Sequence, residues 1–310
     1  MSLKIVFMGT PEFAVESLRA IHASEHEVVG VVTVADKPAG RGKKLRPSPV
    51  KVFAEENGLP ILQPVKLRDE EFLDALKAWN ADVFVVVAFR MLPKQVWMMP
   101  SQGTINLHGS LLPDYRGAAP IHWAVINGET ETGCTTFLID EEIDTGGMLQ
   151  KHVMSIGPNE TTGEVHDRMM VEGAQLLVET LNGIEQGTHT PVPQKDTEST
   201  KHAPKIHKED MRIDWGKDAQ TVHNFIRGMS PFPGAWTTID DQNFKIFRSL
   251  LSEMTSIDPV GHISQSGKTI HVTCGDGNQV ELLMVQAPGK KRMDTASFSL
   301  GNDLDGKKFI

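Results

Sequence analysis

The sequence predicts an α/β protein in which a doubly wound, mostly parallel sheet is followed by a second, smaller domain of β-strands. Three observations predict it. Apolar strand-like runs alternate with amphipathic helical stretches along the N-terminal part of the chain. A polar stretch with several prolines then interrupts the alternation. Short apolar runs separated by turn signals follow it.

The N-terminal strands and helices follow one another in β-α-β-α order. Thr10 is the predicted N-cap of the first helix, with Pro11 at its first position. Ser48 is predicted to begin the second helix and Gly58 to end it, and an apolar stripe at residues 72, 73, 76 and 79 predicts a third. The predicted strands are Lys4–Met8, Val28–Val34, Val83–Ala88 and Thr104–Leu107. Ligands of such sheets gather beyond the carboxyl ends of the strands, so residues at those ends are candidates for a functional site.

The C-terminal part follows a long helix, predicted from Thr162 to about Asn182 and ended by Gly183. Residues 190–207 are polar, which predicts a linker between a catalytic domain at 1–189 and a second domain at 208–310. The second domain is predicted to contain a short helix near 218–227 and strands near 234–239, 244–250, 269–274 and 280–286. The turn signal Asp276-Gly277-Asn278 joins the last two strands, and several such strands favour a small barrel.

Composition predicts a globular protein without a membrane-spanning segment, since no apolar run approaches the length of a span. No small-residue cleavage site follows the N-terminal apolar run, so we expect a cytoplasmic protein. Cys134 and Cys274 are predicted to be reduced, buried thiols. His22 and His26 lack the H-E-x-x-H pattern, and Gly9 stands alone where a dinucleotide fingerprint needs three glycines. The sequence therefore predicts neither a metal site nor an NAD or ATP site.

Asn106, His108 and Asp144 are the candidate catalytic residues. Asn106 and His108 lie two positions apart at the end of a predicted strand, so both side chains are expected on the same face. Asp144 begins the turn Asp-Thr-Gly-Gly. Singly, a strand histidine is usually structural and such a turn is usually only a turn. Together they supply an oxyanion donor, a proton-handling imidazole and an acid, which is what acyl transfer requires.

The stretch INLHGSLLPDYRGAAP at residues 105–120 and the later LIDEEIDTGGML resemble the signature of the folate-dependent formyltransferases. The resemblance runs from IVFMGTPEFA at residues 5–14 to IDW at 213–215, and it is strongest to the branch that formylates methionyl initiator tRNA. It implies 10-formyltetrahydrofolate as co-substrate, no metal and methionyl initiator tRNA as partner. It also implies a Rossmann-like sheet and makes the C-terminal barrel OB-like.

By this resemblance, Asn106 and His108 donate hydrogen bonds to the formyl oxygen as it becomes negative. Asp144 then pairs with His108 or takes, through a water, the proton that the attacking amine loses. No serine or cysteine nucleophile is needed. The turn that the resemblance implies for folate contact consists of Ser110, Leu111, Leu112 and Pro113.

A basic segment stands out against the net charge of −9, which by itself argues against a nucleic-acid partner. Between Asp36 and Lys51 the chain carries an excess of five positive charges, and its prolines and glycines predict an irregular loop. From the charge alone, a loop that binds phosphates and a loop that is only solvated are equally supported. The resemblance implies that this segment approaches the tRNA acceptor stem, with Arg41, Lys43 and Lys44 as the binding residues.

The segment Ala88–Pro93 departs from the family, which usually has Ala-Tyr-Gly before its Leu-Pro. Arg90 within it is open to three roles: reaching a folate carboxylate, facing solvent, or pairing with an acid. Other acceptors also remain open, namely glycinamide ribonucleotide or an amino-sugar nucleotide. An alternative function that is not enzymatic is that of a catalytically inactive tRNA-binding module. We expect a monomer.

Overall fold

The computed structural model describes residues 2–39 and 44–310, and the chain divides into two compact units. The first unit comprises Met1–Gly117, Gly133–Met154 and Asp167–His202, and the second comprises Ala118–Thr132, Ser155–His166 and Ala203–Ile310. Each unit is therefore assembled from separate stretches of chain. Within the described residues, no helix combines the length and the apolar character needed to cross a membrane.

The helices are α1 (Glu12–His22), α2 (Pro49–Glu56), α3 (Glu70–Ala78), α4 (Lys94–Trp97), α5 (Pro120–Ile126), α6 (Thr162–Glu185), α7 (Ala219–Gly228) and α8 (Thr295–Phe298), with a 3₁₀ turn at Glu209–Met211. The strands are β1 (Lys4–Gly9), β2 (Glu27–Val32), β3 (Lys37–Ala39), β4 (Lys44–Arg46), β5 (Ile61–Leu62), β6 (Val83–Val87), β7 (Thr104–His108), β8 (Arg116–Gly117), β9 (Glu131–Leu138), β10 (Met148–Ser155), β11 (His202–Ala203), β12 (Ala235–Ile239), β13 (Gln242–Thr255), β14 (Ile263–Ser266), β15 (Thr269–Thr273), β16 (Asn278–Gln286) and β17 (Met293–Asp294).

A seven-stranded sheet forms the centre of the first unit, in the order β10-β9-β7-β6-β1-β2-β5. The pairs β1–β2, β1–β6, β6–β7 and β2–β5 are parallel, which confirms the predicted parallel centre. β7 and β9 pair antiparallel, so the whole sheet is mixed rather than doubly wound throughout. The sequence analysis missed β9 because threonines replace large apolar residues there, although six of its eight residues are buried.

The middle strands of this sheet are buried on both faces. All five residues of β6 are buried, as are the last five of β1. Phe72 and Leu76 of α3 pack against Phe84 in one core cluster, which confirms the predicted apolar stripe. Burial of this kind contributes roughly 25 cal/mol per Å² of apolar surface, so these strands form the rigid base from which the candidate site projects.

The beginnings of the first two helices differ in how they are capped. Thr10 was predicted as the cap of α1, and this is wrong: α1 begins at Glu12 and Pro11 is its N-cap, with no side-chain hydrogen bond. The Ser48 prediction is confirmed, because its hydroxyl accepts a hydrogen bond from the backbone N–H of Lys51 at 3.1 Å. Gly58, with φ +65°, follows α2 as predicted.

The long helix α6 does not end at Gly183, contrary to the prediction, but continues to Glu185. Gly183 serves close packing instead, since a Cβ built there would lie 2.2 Å from the ring of His189. Gly187, with φ +68°, lies just beyond the helix. A glycine signal in the sequence does not distinguish a helix end from a close contact.

The basic segment was predicted as an irregular loop, and this is wrong for its two flanks. β3 and β4 pair antiparallel, with Pro38 opposite Leu45. These two flanks therefore form a short antiparallel pair, and residues 40–43 lie outside the described part of the chain.

The polar stretch after α6 is tied to the first unit by backbone hydrogen bonds. Val192 and Met148 exchange a reciprocal pair, each of 2.8 Å. Further along, the carbonyl of Lys201 accepts from the N–H of Tyr115 at 2.6 Å. These contacts hold residues 192–201 beside β10 and the segment after β7. The predicted linker bounds of 190 and 207 stay a prediction.

The second unit contains a separate six-stranded sheet with the path β12-β13-β16-β15-β14, and β17 beside β16. Each pair along this path, and the pair β16–β17, is antiparallel. Gly277, with φ +78°, makes the predicted hairpin turn between β15 and β16. The core of this unit is mostly aliphatic and also contains aromatic rings, among which Trp215 stacks on Phe309 with ring centres 5.6 Å apart.

Candidate active site

Asn106 and His108 lie on one face at the carboxyl end of β7. Residue 106 is opposite Val86 of β6 in the parallel pair and opposite Phe137 of β9 in the antiparallel pair, so its backbone is held from both sides. His108 is 6% exposed, whereas Asn106 is half-buried. Within the described residues the Asn106 side chain has no hydrogen-bond partner, so its amide is available to a ligand.

The His108 ring lies between two oxygen atoms. Its Nε2 is 2.9 Å from the carbonyl oxygen of Tyr115, and its Nδ1 is 3.7 Å from Oδ2 of Asp144. A carbonyl oxygen only accepts, so the proton of that hydrogen bond belongs to Nε2. The separation of 3.7 Å is longer than a hydrogen bond, and the two groups form an ion pair only when the ring carries a proton on Nδ1 as well. Nδ1 is therefore the ring atom that faces the acid.

Asp144 occupies a turn that projects its carboxylate back towards β7. Its φ is +58°, in the left-handed region, which aspartate tolerates better than most residues. The Oδ2 atom accepts a hydrogen bond from the N–H of Gly117 at 3.1 Å. The three predicted catalytic residues thus come from two stretches of chain, and the structure brings His108 and Asp144 together at the strand end that also carries Asn106.

Gly146 permits the tight course of the Asp144 turn. A Cβ built on Gly146 would lie 1.7 Å from the carbonyl oxygen of Leu138, the last residue of β9. At the neighbouring Gly147, a built Cβ would meet a side-chain atom of Pro191 at 2.8 Å. The first glycine of the Asp-Thr-Gly-Gly stretch therefore allows a backbone approach that no other residue fits.

Two supporting residues were missed by the sequence analysis. The Nε2 of Gln194 donates hydrogen bonds to the carbonyls of Asp144 and Gly146, at 2.8 and 2.9 Å. The Oε1 of Gln194 accepts from Nε and Nη2 of Arg116, at 2.9 and 2.7 Å. No local pattern could have identified Gln194, because it stands in a polar stretch 50 residues from Asp144. Arg116 belongs to the motif that carried the resemblance, but nothing there indicated its partner.

The turn from Ser110 to Pro113 is held by its own hydrogen bonds. The Ser110 hydroxyl donates to the carbonyl of Asp114 at 2.6 Å, and the Ser110 carbonyl accepts from the Thr135 hydroxyl at 2.7 Å. Leu112 is fully buried and precedes a cis peptide bond to Pro113. The Ser110 side chain is therefore committed to the turn, and the predicted contact of this turn with folate stays a prediction.

A cavity of about 530 Å³ opens beside the residues that follow β6. It is lined by Val65, Lys66, Leu67, Arg68, Arg90, Met91, Leu92, Pro93, Lys94, Trp97 and Glu141. Because β6 and β7 are parallel neighbours, this cavity lies at the sheet edge that carries Asn106 and His108. Its lining contains four cationic side chains and one carboxylate, so it is suited to an anionic ligand with an apolar portion.

Arg90 lies in the wall of this cavity. Its Nη1 donates to the carbonyl of Val65 at 2.9 Å and its Nη2 donates to the carbonyl of Pro64. Its Nε is buried without a hydrogen-bond partner in the described structure, and burial lowers the pKa of the guanidinium. The preceding Ala88 has φ +47°, which makes the sharp change of direction after β6. Of the three roles left open for Arg90, pairing with an acid is not the one seen.

The predicted tRNA-binding residues belong to the basic segment between Asp36 and Lys51. Arg41 and Lys43 fall outside the described residues, and Lys44 is the first residue of β4. The described flank carries an ion pair between Lys51 and Asp36, with Nζ 2.6 Å from Oδ2. This pair holds the pKa of the Asp36 carboxyl below its usual range.

The described residues contain no cluster of metal-ligating side chains and two buried thiols. Nowhere in 2–39 and 44–310 do three or more His, Cys, Asp or Glu side chains cluster so that they could hold a metal ion. Cys134 and Cys274 are free and buried, as predicted, and burial raises the pKa of each thiol to about 12. Neither thiol would act as a nucleophile near neutral pH.

Two family models match the chain. The one described as "Formyl transferase" matches residues 3–181, and the one described as "Formyl transferase, C-terminal domain" matches residues 205–303. The chain belongs to the formyl transferase family.

Relatives within this family match over nearly the whole chain. A methionyl-tRNA formyltransferase of Flavobacterium johnsoniae is 49% identical over 303 residues, which cover 96% of each chain. That of Bacteroides thetaiotaomicron is 49% identical over 316 residues, covering 99% of this chain and 98% of the relative.

Solved structures share the fold at lower identity. A sugar 3N-formyl transferase, crystallised with dTDP and 5-N-formyl-THF, matches with a TM-score of 0.67 and 22% identity, over 94% of this chain and all of that one. HypX from Aquifex aeolicus in complex with tetrahydrofolic acid matches with a TM-score of 0.66 and 19% identity, over 99% of this chain and 48% of its own. At such identities the likeness concerns the fold alone.

Proposed function

We propose that this protein transfers the formyl group of 10-formyltetrahydrofolate to the free amino group of methionyl initiator tRNA, for translation initiation. The observation that carries the proposal is the meeting of His108 and Asp144 at the strand end that presents the unpartnered amide of Asn106. It occurs in a chain whose nearly full-length relatives at 49% identity are named methionyl-tRNA formyltransferases.

The folate supplies the formyl group, and the protein residues handle charge and proton. As the amine nitrogen bonds to the formyl carbon, negative charge grows on the formyl oxygen, and the proposed role of the free Asn106 N–H groups is to stabilise it. His108, predicted as a second donor to this oxygen, is not assigned that role, because its Nε2 already donates to the Tyr115 carbonyl. His108 keeps Nε2 on the Tyr115 carbonyl and presents Nδ1 to Asp144. The proposed role of Asp144, directly or through His108, is to take the proton that the attacking amine loses and to return a proton to the folate nitrogen as its bond to the formyl carbon breaks.

The cavity beside β6 is our candidate for the folate. Its apolar walls, which include Leu92 and Trp97, suit the aromatic portion of the molecule, and its cationic rim suits the glutamate carboxylates. Glu141 in its lining lies three positions before Asp144, so a folate bound there would reach the catalytic turn. The turn Ser110–Pro113 is proposed as the opposite wall.

The basic segment between Asp36 and Lys51 is proposed to bind the tRNA through Arg41, Lys43 and Lys44. Support comes from its local excess of five positive charges in a chain of net charge −9. Lysine and arginine side chains make most of the contacts that neutralise nucleic-acid phosphates.

The finer organisation of the chain is part of the proposal. We place the catalytic domain at residues 1–189, a linker at 190–207 and a second domain at 208–310, in accord with family matches that end at 181 and resume at 205. The proposal makes the second domain OB-like, supported by its antiparallel strands and the long β13 with several register shifts. It also places the protein in the cytoplasm as a monomer.

The experiment that tests the function is formyl transfer from 10-formyltetrahydrofolate to methionyl initiator tRNA, with glycinamide ribonucleotide and an amino-sugar nucleotide as competing acceptors. We expect product only on the tRNA. His108→Ala should lower kcat by roughly 10²- to 10⁴-fold, the range for loss of a proton-handling group. His152→Ala is the matched control, because this histidine also pairs with a carboxylate, Glu172 at 2.6 Å, but has no contact with the site. Product on a small amine alone would refute the proposed acceptor.

The tRNA part of the proposal has its own variant. Arg41→Ala should raise KM for the tRNA and leave the folate KM unchanged, since its charge is assigned to phosphate contacts only. Arg19→Ala is the control, because Arg19 is an exposed arginine of the same unit whose partners are Glu16 and the ring of Phe53. An equal rise of KM in both variants would show a general charge effect rather than a binding site.

A further inference from the structure

The Gln194 amide uses all of its hydrogen-bonding capacity in one place. Its two N–H groups serve the carbonyls of Asp144 and Gly146, and its oxygen accepts two N–H groups of Arg116. An amide has two donors and two acceptor lone pairs, so none is left over. The guanidinium cannot accept and the carbonyls cannot donate, so only one orientation of the amide satisfies every partner.

The backbone that Gln194 holds determines where the Asp144 carboxylate points. Asp144 lies at φ +58°, and the left-handed region costs a non-glycine residue roughly 1–2 kcal/mol. Relaxation to an ordinary φ would swing its side chain away from Nδ1 of His108 and from the Gly117 N–H. Two hydrogen bonds to the carbonyls on either side of Thr145 oppose that relaxation.

The residues that support the Asp144 carboxylate are connected to one another by hydrogen bonds. Arg116 orients Gln194, Gln194 holds Asp144, and Asp144 accepts from Gly117, the residue next to Arg116. Arg116 is itself held by Asp196, with Nη2 2.8 Å from Oδ1. Only 11% of the Arg116 side chain is exposed, whereas its partner Asp196 is 60% exposed, so the guanidinium is the buried member of this ion pair.

We infer that Gln194 is a positioning residue for formyl transfer, acting through Asp144, and that Arg116 sets the orientation of its amide. This inference rests on the proposed function. Gln194 touches neither substrate, and its contribution is to hold the acid in the one backbone conformation that faces His108.

Gln194→Glu separates positioning from simple packing. The carboxylate has the size of the amide and keeps the contact with Arg116, now as an ion pair. It has no N–H, so one oxygen faces two carbonyl oxygens at distances near the present 2.8 and 2.9 Å, and the turn is pushed away. We expect kcat to fall by about 10- to 100-fold, as for a displacement of roughly 1 Å at a catalytic group. KM for folate and tRNA should stay within about threefold of the parent value.

The matched control is Gln150→Glu. Gln150 is a partly buried glutamine of the same unit that bonds Glu179 and Thr180 on α6 and has no contact with the Asp144 turn. It should lower the melting temperature at least as much as Gln194→Glu while leaving kcat unchanged. If kcat simply follows the melting temperature through both variants, the positioning role is wrong.

A double-mutant cycle on single-turnover rates tests whether Gln194 acts through Asp144. Adding Gln194→Glu to Asp144→Asn should change the rate by less than about twofold, because the group being positioned is already lost. Independent, multiplying losses would overturn the inference. The activity of the unsubstituted protein is measured first. If it forms no formylated tRNA, the proposed function is wrong and so is this inference. With a normal parent rate and an unaffected Gln194→Glu rate, only this inference fails.

Discussion

Gly146→Ala is the substitution that the geometry of the site penalises most directly. A Cβ at this position would lie 1.7 Å from the Leu138 carbonyl oxygen, whereas Cβ contacts under 3.0 Å essentially do not occur. The two backbones must therefore separate by more than 1 Å. Leu138 is paired with Ile105 in the sheet, so the turn that carries Asp144 is the part that gives way.

Such a displacement increases the distance between the Asp144 carboxylate and the His108 ring. We expect kcat for formyl transfer to fall by about 100-fold, the cost of a roughly 1 Å misplacement of a catalytic group. The free energy of unfolding should fall by about 1–3 kcal/mol, as for overpacking elsewhere. Steady-state kinetics with charged tRNA and urea unfolding followed by circular dichroism measure the two effects.

Gly147→Ala is the control within the same turn. Its Cβ would meet a side-chain carbon of Pro191 at 2.8 Å, a contact that a small shift of the proline ring relieves. We expect its kcat to stay within about threefold of the parent. Equal losses in the two alanine variants, or a normal kcat for Gly146→Ala, would refute the link between the course of this turn and the position of the acid.

Three further outcomes follow from the buried polar groups. Burial lowers the pKa of His223 below its ordinary 6.5, so below that pH the unfolded chain binds more protons. The free energy of unfolding should therefore decrease as the pH falls from 7 to below 6.5. The decrease should be smaller in His223→Gln, and thermal melts at several pH values measure it. Cys134 and Cys274, with thiol pKa values raised to about 12, should resist iodoacetamide at pH 8 in the native state and react after unfolding; prompt native labelling would contradict their burial. Ser110→Ala removes the hydrogen bond to the Asp114 carbonyl and should cost about 1 kcal/mol in urea unfolding.

The centre of the fold could be predicted because its signals are local. β6 and the part of β1 after Lys4 have no polar side chain, as expected of strands buried on both faces, and their parallel pairing follows from the helices between them. Asn106 and His108 could be placed on one face from the two-residue period of a strand alone. Neither conclusion needed knowledge of distant residues.

The outer strands of the sheet and the residues that hold Asp144 in place could not be predicted from local patterns. β9 is buried through its neighbours rather than through large apolar residues, so its sequence lacks the usual signal. Gly183 looked like a helix end because glycine serves both chain reversal and close contact, and only the position of His189 decides between them. Gln194 lies in a stretch whose composition is that of a linker, while its function depends on partners fixed by the fold.

The two residues of the proposed catalytic pair, His108 and Asp144, are therefore held in place in different ways. His108 is placed by a central strand, whose neighbours on both sides are hydrogen-bonded along their length. Asp144 is placed by contacts from Gly117 and Gln194, 27 and 50 residues away along the chain. Closing the intervening loops costs conformational entropy, which the hydrogen bonds of Gly117 and Gln194 must offset for Asp144 to stay in place. Assembly of the acid–imidazole pair is thus coupled to ordering of the polar stretch around Gln194. Substitutions in that stretch can then alter the chemistry without touching the strands that hold Asn106 and His108.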